Sequence, residues 1–573
     1  MSFVERINLW LKRYLFWILA GGFLLASFLR FVNLGVAALS DREAESALQA
    51  LAIARRQEPL LTGSSGYVGL TSMLFFLFGG SDFFARFWPA LFGSALVLTP
   101  AFFRRYLDEL TVVSVALILA LEPGLVALSR TADGLSIALF SIVATVGFLL
   151  HKKKIPSGIC AGLALVTSPA FWPLILVIGL AGFFAFFTGR DPIENEADPF
   201  RFGKNEWLIF AVSAGVSVFI SCTVFFQFPA GISGVVSGLT HFLGSWRQAG
   251  GLQFGSFLLV LVVTQFPVLI LGFWGAIAGL REKSSLVRFL GLWWILGLIA
   301  WSLNPSVTEQ HIALINLPLY VLSALQIRRV VQNFSCPSKI VVLVETVVTL
   351  SLLVFSSINL LNLTNVLMGD PAAERNRVIG TLLPLLLWVI FTILLAWGWD
   401  ASSTKGGLLI SIGLLGLALL FGSGWKAAGL GSRPENEFLS GNEFIVGQER
   451  VMNSVSDLSL WNTGVANRID VKIAGLQMPS LVWSLRDFEE LSRDSTFQEN
   501  SDASIILANP ESAVKPGSVY RGATLLWSVK PDYASFTWKD WIKWFFIRSV
   551  PQTKNSLMLW ARNDLFKDYQ SVE

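Results

Sequence analysis

Cysteine and histidine are scarce in this chain, with three of each among 573 residues. Cys160, Cys222 and Cys336 stand far apart, two of them inside apolar runs, so neither a disulfide framework nor a zinc site is indicated. A His-based metal centre is disfavoured for the same reason. Charge is also thin: Asp, Glu, Lys and Arg make up 14% of the residues, against roughly 25% in a soluble globular chain. The net charge of +4 is scattered over connecting segments, not massed in a basic stripe, which argues against nucleic acid as a partner. No Gly-rich phosphate fingerprint leads into a helix, so nucleotide binding is not indicated either.

What is present is apolar. Hydrophobic residues form 54% of the chain and mean hydropathy is +0.62. Runs approaching the roughly 20 residues needed to cross a bilayer recur along most of its length. The few charges are unevenly placed: residues 1–425 hold 48 of them, and residues 426–573 hold 34 in about a quarter of the chain. The expected organisation is therefore a membrane body, 1–425, followed by a domain of ordinary composition, 426–573.

Thirteen apolar spans can be threaded: 14–38, 87–103, 111–128, 134–150, 156–167, 171–188, 207–228, 256–280, 289–303, 312–327, 340–361, 378–397 and 408–425. With the N-terminus in the cytoplasm, every second connection should be basic. Those connections hold Arg104-Arg105, Lys152-Lys153-Lys154, Arg190/Arg201/Lys204, Arg281/Lys283/Arg288, Arg328-Arg329/Lys339 and Lys405. Arg55-Arg56 and Arg375/Arg377 are exceptions. An odd number of spans then places the C-terminal domain outside the cytoplasm, in a multi-pass protein of the cell membrane. Two connections on that side are too long to be turns. In 39–86, the stretch DREAESALQALAIARR puts Ala44, Ala47, Leu48 and Leu51 on one helical face, and 67–79 is apolar enough to lie in the membrane interface. The other, 229–255, carries His241, Trp246 and Arg247.

Three segments resemble one family. LRFVNLGVAALSDREAESALQAL (29–51), FGGSDFFARFWPALFGSAL (78–96) and ALSRTADGLSIALF (127–140) occur in the order seen in the polytopic GT-C glycosyltransferases, the superfamily of protein O-mannosyltransferases and the bacterial aminoarabinose transferase. The matching positions are Arg30 and Gly35, Asp41 and Glu43, Arg86, and Arg130 with Asp133. The resemblance covers about the first 190 residues. It implies an inverting transfer of sugar from a polyprenyl-phosphate-linked donor, entering from the membrane lipid, to a glycan, lipid or protein acceptor on the extracytoplasmic side. The family's adjacent Asp-Glu reads Asp41-Arg42-Glu43 here, its Lys-Pro-Pro or His-Pro-Pro element is replaced by Gly66-Tyr67-Val68-Gly69, and its Thr-Lys pair reads Thr167-Ser168. Near the C-terminus, LVWSLRDFEE, FTWKDWIKWFFIR and SLMLWARNDLF resemble archaeal membrane proteins associated with flippase activity. A non-catalytic relative that assists lipid-linked sugar flipping or glycan assembly is the alternative expectation.

Glycosyl transfer requires a base for the acceptor proton, and Asp41, Glu43 and Glu45 are the acids at the start of the first long connection. Asp41 is the first choice and Glu43 the second. Either, with Asp133, could also hold a divalent cation such as Mg or Mn on a donor phosphate. The bland reading of the same residues is a capping box, Ser40 to Glu43, with first-turn acids opposing the helix dipole. Arg130 and Asp133 are one turn apart and suit phosphate and acceptor respectively, or an ion pair. Glu122, inside a span beside Pro123, is costly enough to suggest a cavity-facing role, or a partner for Arg86 or Arg130. Arg86, Arg247 and His311 complete the set of substrate-binding candidates, with Glu309 beside His311. The C-terminal part reads as α/β: a helix over 443–461, strands at 469–475, 481–485, 504–508 and 524–529, and a helix over 538–548. In that last helix Trp538, Trp541, Trp544 and Phe545 mark an apolar face that either rests on the membrane, cups the site or packs on its own sheet.

Overall fold

A computed structural model describes residues 3–569 apart from 60, 62, 189–202, 225, 248–250, 335–336, 366–370, 432–433, 441–442, 495–502 and 512–519. Arg190, Arg201 and Cys336 lie outside the described residues, and Cys160 and Cys222 are free thiols. The fold is mainly α: a polytopic helical body followed by a smaller α/β portion.

Each of the thirteen apolar runs is built on helix. Seven helical stretches among the described residues are long and apolar enough to cross a membrane; one of them, Pro371–Ala427, comprises helices Pro371–Leu395 and Ala401–Ala427, which meet at an extended Asp400 and take up the last two runs. Several of the others are short because proline or a polar residue interrupts them. The third run breaks at Glu122: helix Glu109–Leu121 ends there, and Pro123 opens helix Pro123–Leu128. Proline at the first position of a helix loses no intrahelical bond, and the Glu122 carboxylate accepts from the otherwise orphaned N–H groups of Gly124 and Leu125 at 2.9 and 2.5 Å.

The helices run back and forth, so alternate connections meet at opposite ends. At one end, Arg328 pairs with Asp108 at 3.2 Å, Arg329 with Glu282 at 2.7 Å, and Lys154 with Glu206. The connections after the first, third, fifth, seventh and ninth runs gather at the other end. There the long segment 39–86 folds as two helices, Asp41–Ala54 and Ser65–Phe78, and 229–255 contributes helix Ser233–Ser245.

Beyond Ala427 the chain forms one mixed sheet of β1 (Phe444–Ile445), β2 (Val471–Ala474), β3 (Leu491–Asp494), β4 (Ile505–Ala508), β5 (Tyr520–Pro531) and β6 (Gln552–Arg562), in the order β1-β5-β6-β4-β2-β3. Strand β2 is parallel to β3 and β4, whereas β6 is antiparallel to β4 and β5. All four residues of β4 are buried, as expected for a strand covered on both faces. The strand expected at 481–485 is instead part of helix Pro479–Ser484. Ser480 to Ser484 are all buried, and a short, uniformly buried apolar run carries no periodicity that separates strand from helix.

The C-terminal portion is docked on the helical body. Helix Trp538–Ile547 packs on the body's helices Phe254–Arg281 and Lys339–Leu363, not on its own sheet. Trp544 is fully buried and stacks on Phe438 with ring centroids 4.3 Å apart. Arg548 covers the other side of that indole at 3.9 Å and pairs with Glu437 at 3.1 Å. Tyr533 donates to Glu309 of the body at 2.6 Å. Removing one partner of a buried ion pair leaves an uncompensated charge, a cost of roughly 3–5 kcal/mol. Arg548→Ala should therefore lower the thermal unfolding midpoint of the purified protein and expose the C-terminal portion to limited proteolysis, while Lys554→Ala should leave both unchanged.

Candidate active site

Helix Asp41–Ala54 sorts its charges by face. Ala44, Ala47, Ala50 and Leu51 are buried against Tyr67, Val68 and Trp483. Glu43 is on the buried side, whereas Arg42 and Glu45, one turn apart, are exposed on the opposite face.

Glu43 is saturated with donors. Arg86 reaches it through Nε at 2.8 Å and Nη2 at 2.9 Å, the Ala132 N–H donates at 2.8 Å, and Ser40 donates from both its backbone N–H and its hydroxyl at 3.0 Å. Burial alone would raise this carboxyl, but the Arg86 guanidinium and the surrounding N–H groups hold it below the ordinary range. Arg86 spends its remaining donors on the carbonyls of Leu34, Ala37 and Ala38. Asp41 points another way: its Oδ1 accepts from the Ser480 N–H at 3.0 Å and hydroxyl at 2.5 Å. Burial raises its carboxyl, partly offset by those bonds.

A cavity of about 320 Å³ opens beside the exposed face of the same helix. Arg42, Glu45, Asp133, His241, Asn304 and His311 reach it from four different connections. Its floor includes the turn at Gly134, where a Cβ would collide with the Thr167 carbonyl, so the turn can approach helix Lys154–Thr167 only as glycine. Asp133 accepts from the Leu135 N–H at 3.0 Å, and burial pushes its carboxyl up to about 6. Among the described residues the Arg42 guanidinium makes no hydrogen bond or ion pair, which leaves five donors for whatever occupies the cavity. The Thr308 N–H donates to Nδ1 of His311 at 3.1 Å. A ring nitrogen that accepts from an amide carries no proton, so His311 is neutral with its proton on Nε2. Burial and the Arg42 charge lower the His241 imidazole, so it too is neutral near pH 7.

No protein-family model matches the chain, and no curated protein matches it. Solved structures do. The crystal structure of ArnT from Cupriavidus metallidurans bound to undecaprenyl phosphate aligns over 97% of this chain and 99% of that one, at 13% identity and a TM-score of 0.56. The apo form of the same protein aligns over the same shares at 13% identity and a TM-score of 0.54. The chain has the ArnT-like GT-C fold.

Within that GT-C fold the sequence-derived candidates separate into two groups. Asp133 and His311 line the cavity, joined by Glu45. Arg86 and Glu43 are locked to each other beneath it. Glu122 lies away from it, wholly buried, held by the two backbone N–H groups and by Gln265. Arg130 caps the end of the first helix, donating to the carbonyls of Leu29, Arg30, Val32 and Asn33 between 2.6 and 3.4 Å. Arg247 is exposed just past helix Ser233–Ser245, whose His241, Phe242 and Ser245 reach the cavity in its place. Arg42 was not among the candidates. Its signal was available: the apolar face of Ala44, Ala47, Leu48 and Leu51 leaves positions 42 and 45 on the other side.

The two acids of this helix therefore differ in what their loss does. Glu43→Gln should destabilise the protein by about 3–5 kcal/mol, because Arg86 would remain buried without its counter-charge. Glu45→Gln, at an exposed position, should leave stability within about 0.5 kcal/mol. Thermal unfolding of both variants in the same nanodiscs checks this contrast.

Proposed function

We propose that the chain is an integral membrane glycosyltransferase that moves a sugar from a polyprenyl-phosphate-linked donor to an acceptor hydroxyl, with inversion. The observation that carries this reading is the pairing of an open guanidinium, Arg42, with an open carboxylate, Glu45, in one cavity of a GT-C fold. Glu45, an acid of the first long connection, is the base. As the acceptor oxygen bonds to the anomeric carbon, the bond from that carbon to the phosphate oxygen breaks and the hydroxyl proton passes to Glu45. Arg42 and the Nε2–H of His311 meet the charge that develops on the leaving phosphate. Asp133, ionised above pH 6, orients a sugar or acceptor hydroxyl. The ArnT crystal structure bound to undecaprenyl phosphate supports a lipid-phosphate donor for this fold. With the N-terminus in the cytoplasm, the cavity and the C-terminal portion lie on the extracytoplasmic side, where lipid-linked rather than nucleotide-linked sugars are the donors.

We favour a reaction without a bound cation over one with a cation held by Asp41, Glu43 and Asp133. Among the described residues no three His, Cys, Asp or Glu side chains are placed to share an ion, and Glu43 already has a full set of donors. No step is routed through a metal; Arg42 supplies the positive charge.

A second reading, a non-catalytic relative that assists lipid-linked sugar flipping or glycan assembly, is favoured by one fact. The acids at the family's own motif, Asp41 and Glu43, are both engaged in structural contacts. Incubating the purified protein in nanodiscs with polyprenyl-phosphate sugars, followed by product analysis, separates the two. The glycosyltransferase reading expects transfer that drops by roughly 10²-fold or more in Glu45→Gln and falls as pH is lowered through about 6, where Asp133 takes up a proton. Lipid binding without transfer supports the second reading. Full transfer by both Glu45→Gln and Asp133→Asn would sink the assignment of these residues.

A further inference from the structure

Glu45 also faces a second space. A groove of about 970 Å³ lies between helix Asp41–Ala54 and the C-terminal segment that runs from Leu476 through β3, and among the described residues Glu45 alone lines both it and the cavity. Along the helix the groove follows Glu45, Gln49, Ala52 and Arg55, a distance of about 15 Å at 1.5 Å per residue. That is room for a chain of several units rather than a single small molecule. Gln57 and Gln477 add amide groups to the lining.

The charges of the groove are not equally engaged. Arg486 donates to the carbonyls of Trp483 and Gly80, at 2.7 and 3.2 Å. Asp487 stands 3.9 Å from Arg55 and 3.8 Å from Arg486. Glu489 is the other carboxylate of the lining besides Glu45. Arg493, exposed on the edge strand β3, makes no hydrogen bond or ion pair among the described residues. Its strand neighbour Asp494 is taken by Lys472 at 2.5 Å. The groove thus offers a base at Glu45, exposed amides at Gln57 and Gln477 and an open guanidinium at β3. An acyl chain laid over Gln57, Gln477 and Arg493 would shield two amides and a guanidinium from water without giving them partners, which is costly. Hydroxyls and a carboxylate would satisfy them.

We infer that this groove is the acceptor subsite and that it takes a saccharide chain bearing an acidic group, with the reacting hydroxyl at Glu45 and the acidic group at Arg493. The inference rests on the glycosyltransferase reading above: the cavity holds donor phosphate on one side of Glu45 and the groove brings the acceptor from the other. The proton released from the acceptor hydroxyl then has one carboxylate within reach of both substrates.

The test uses the full-length protein in nanodiscs and measures binding, not turnover. Hexagalacturonate is the acidic probe, maltohexaose the neutral one, and octa-aspartate an acidic peptide without sugar hydroxyls. The expected result is that hexagalacturonate binds at least tenfold tighter than either of the others. Arg493→Gln should remove that preference, as should Arg55→Gln in part; both residues are exposed, so the unfolding midpoint should match wild type. Equal affinity for acidic and neutral saccharides, unchanged preference in Arg493→Gln, or octa-aspartate binding as tightly as the saccharide each overturns the inference. Polyprenyl phosphate binding is measured on the same samples. If the lipid binds and the saccharide preference is absent, the groove assignment fails alone. If no lipid binds, the glycosyltransferase reading fails, and the groove assignment with it.

Discussion

A carboxylate that must be buried can be kept ionised only by surrounding it with donors, and Glu43 shows what that requirement organises. Its partner Arg86 comes from the helix after the first long connection, the Ala132 N–H from the turn before the fourth run, and Ser40 from the residue ahead of its own helix. Arg86 in turn holds the carbonyls of Leu34, Ala37 and Ala38 at the end of the first run. One ion pair therefore fixes three regions that are far apart in sequence, residues 34–43, Arg86 and Ala132. Because a helix turns by a set angle per residue, fixing Glu43 inward also fixes Arg42 and Glu45 outward. The cavity's chemistry is a consequence of that rotation.

The C-terminal portion is tied to the same helix from the other side. Asp41 receives Ser480, and Asp82 receives the Trp483 indole N–H at 2.6 Å while that ring stacks on Phe75. These contacts seat helix Pro479–Ser484 against the first long connection and make the sheet's β3 edge one wall of the groove. Arg548, Glu437 and Tyr533 hold the opposite part of the sheet region to the helical body. A single helix thus carries a structural acid, a docking acid and an open acid at positions 43, 41 and 45, and its neighbours decide which is which.

The fold was largely legible from the chain. Apolar runs, interrupting prolines and alternating basic connections describe helices that cross back and forth, and the charge-rich segment beyond 425 describes something of different composition. What escaped was short and uniformly buried. Pro479–Ser484 reads as strand or helix equally well until the sheet is seen beside it. Strand β6 does show alternation, with Leu557, Leu559 and Ala561 buried, but the polar residues ahead of them hide it. The site was legible to the level of a segment and no further. Of the residues expected at the site, Asp133 and His311 line the cavity together with Glu45 of the first long connection, whereas Arg86 is spent on Glu43 and backbone carbonyls, Arg130 on carbonyls, and Glu122 on backbone N–H groups and Gln265.

Composition and periodicity alone determined that this is a multi-helix membrane-type body with an α/β portion after it, because burying apolar surface and satisfying backbone groups depends on residue type along the chain. They also narrowed the chemistry to a handful of charges near Asp41 and Asp133. Only the tertiary structure decided which of those charges are free to react. A charged side chain is available to a substrate when no closer partner has claimed it, and the partners here come from residues about 43 to 440 positions away, as Arg86 and Ser480 do for Glu43 and Asp41. No local pattern records such distances.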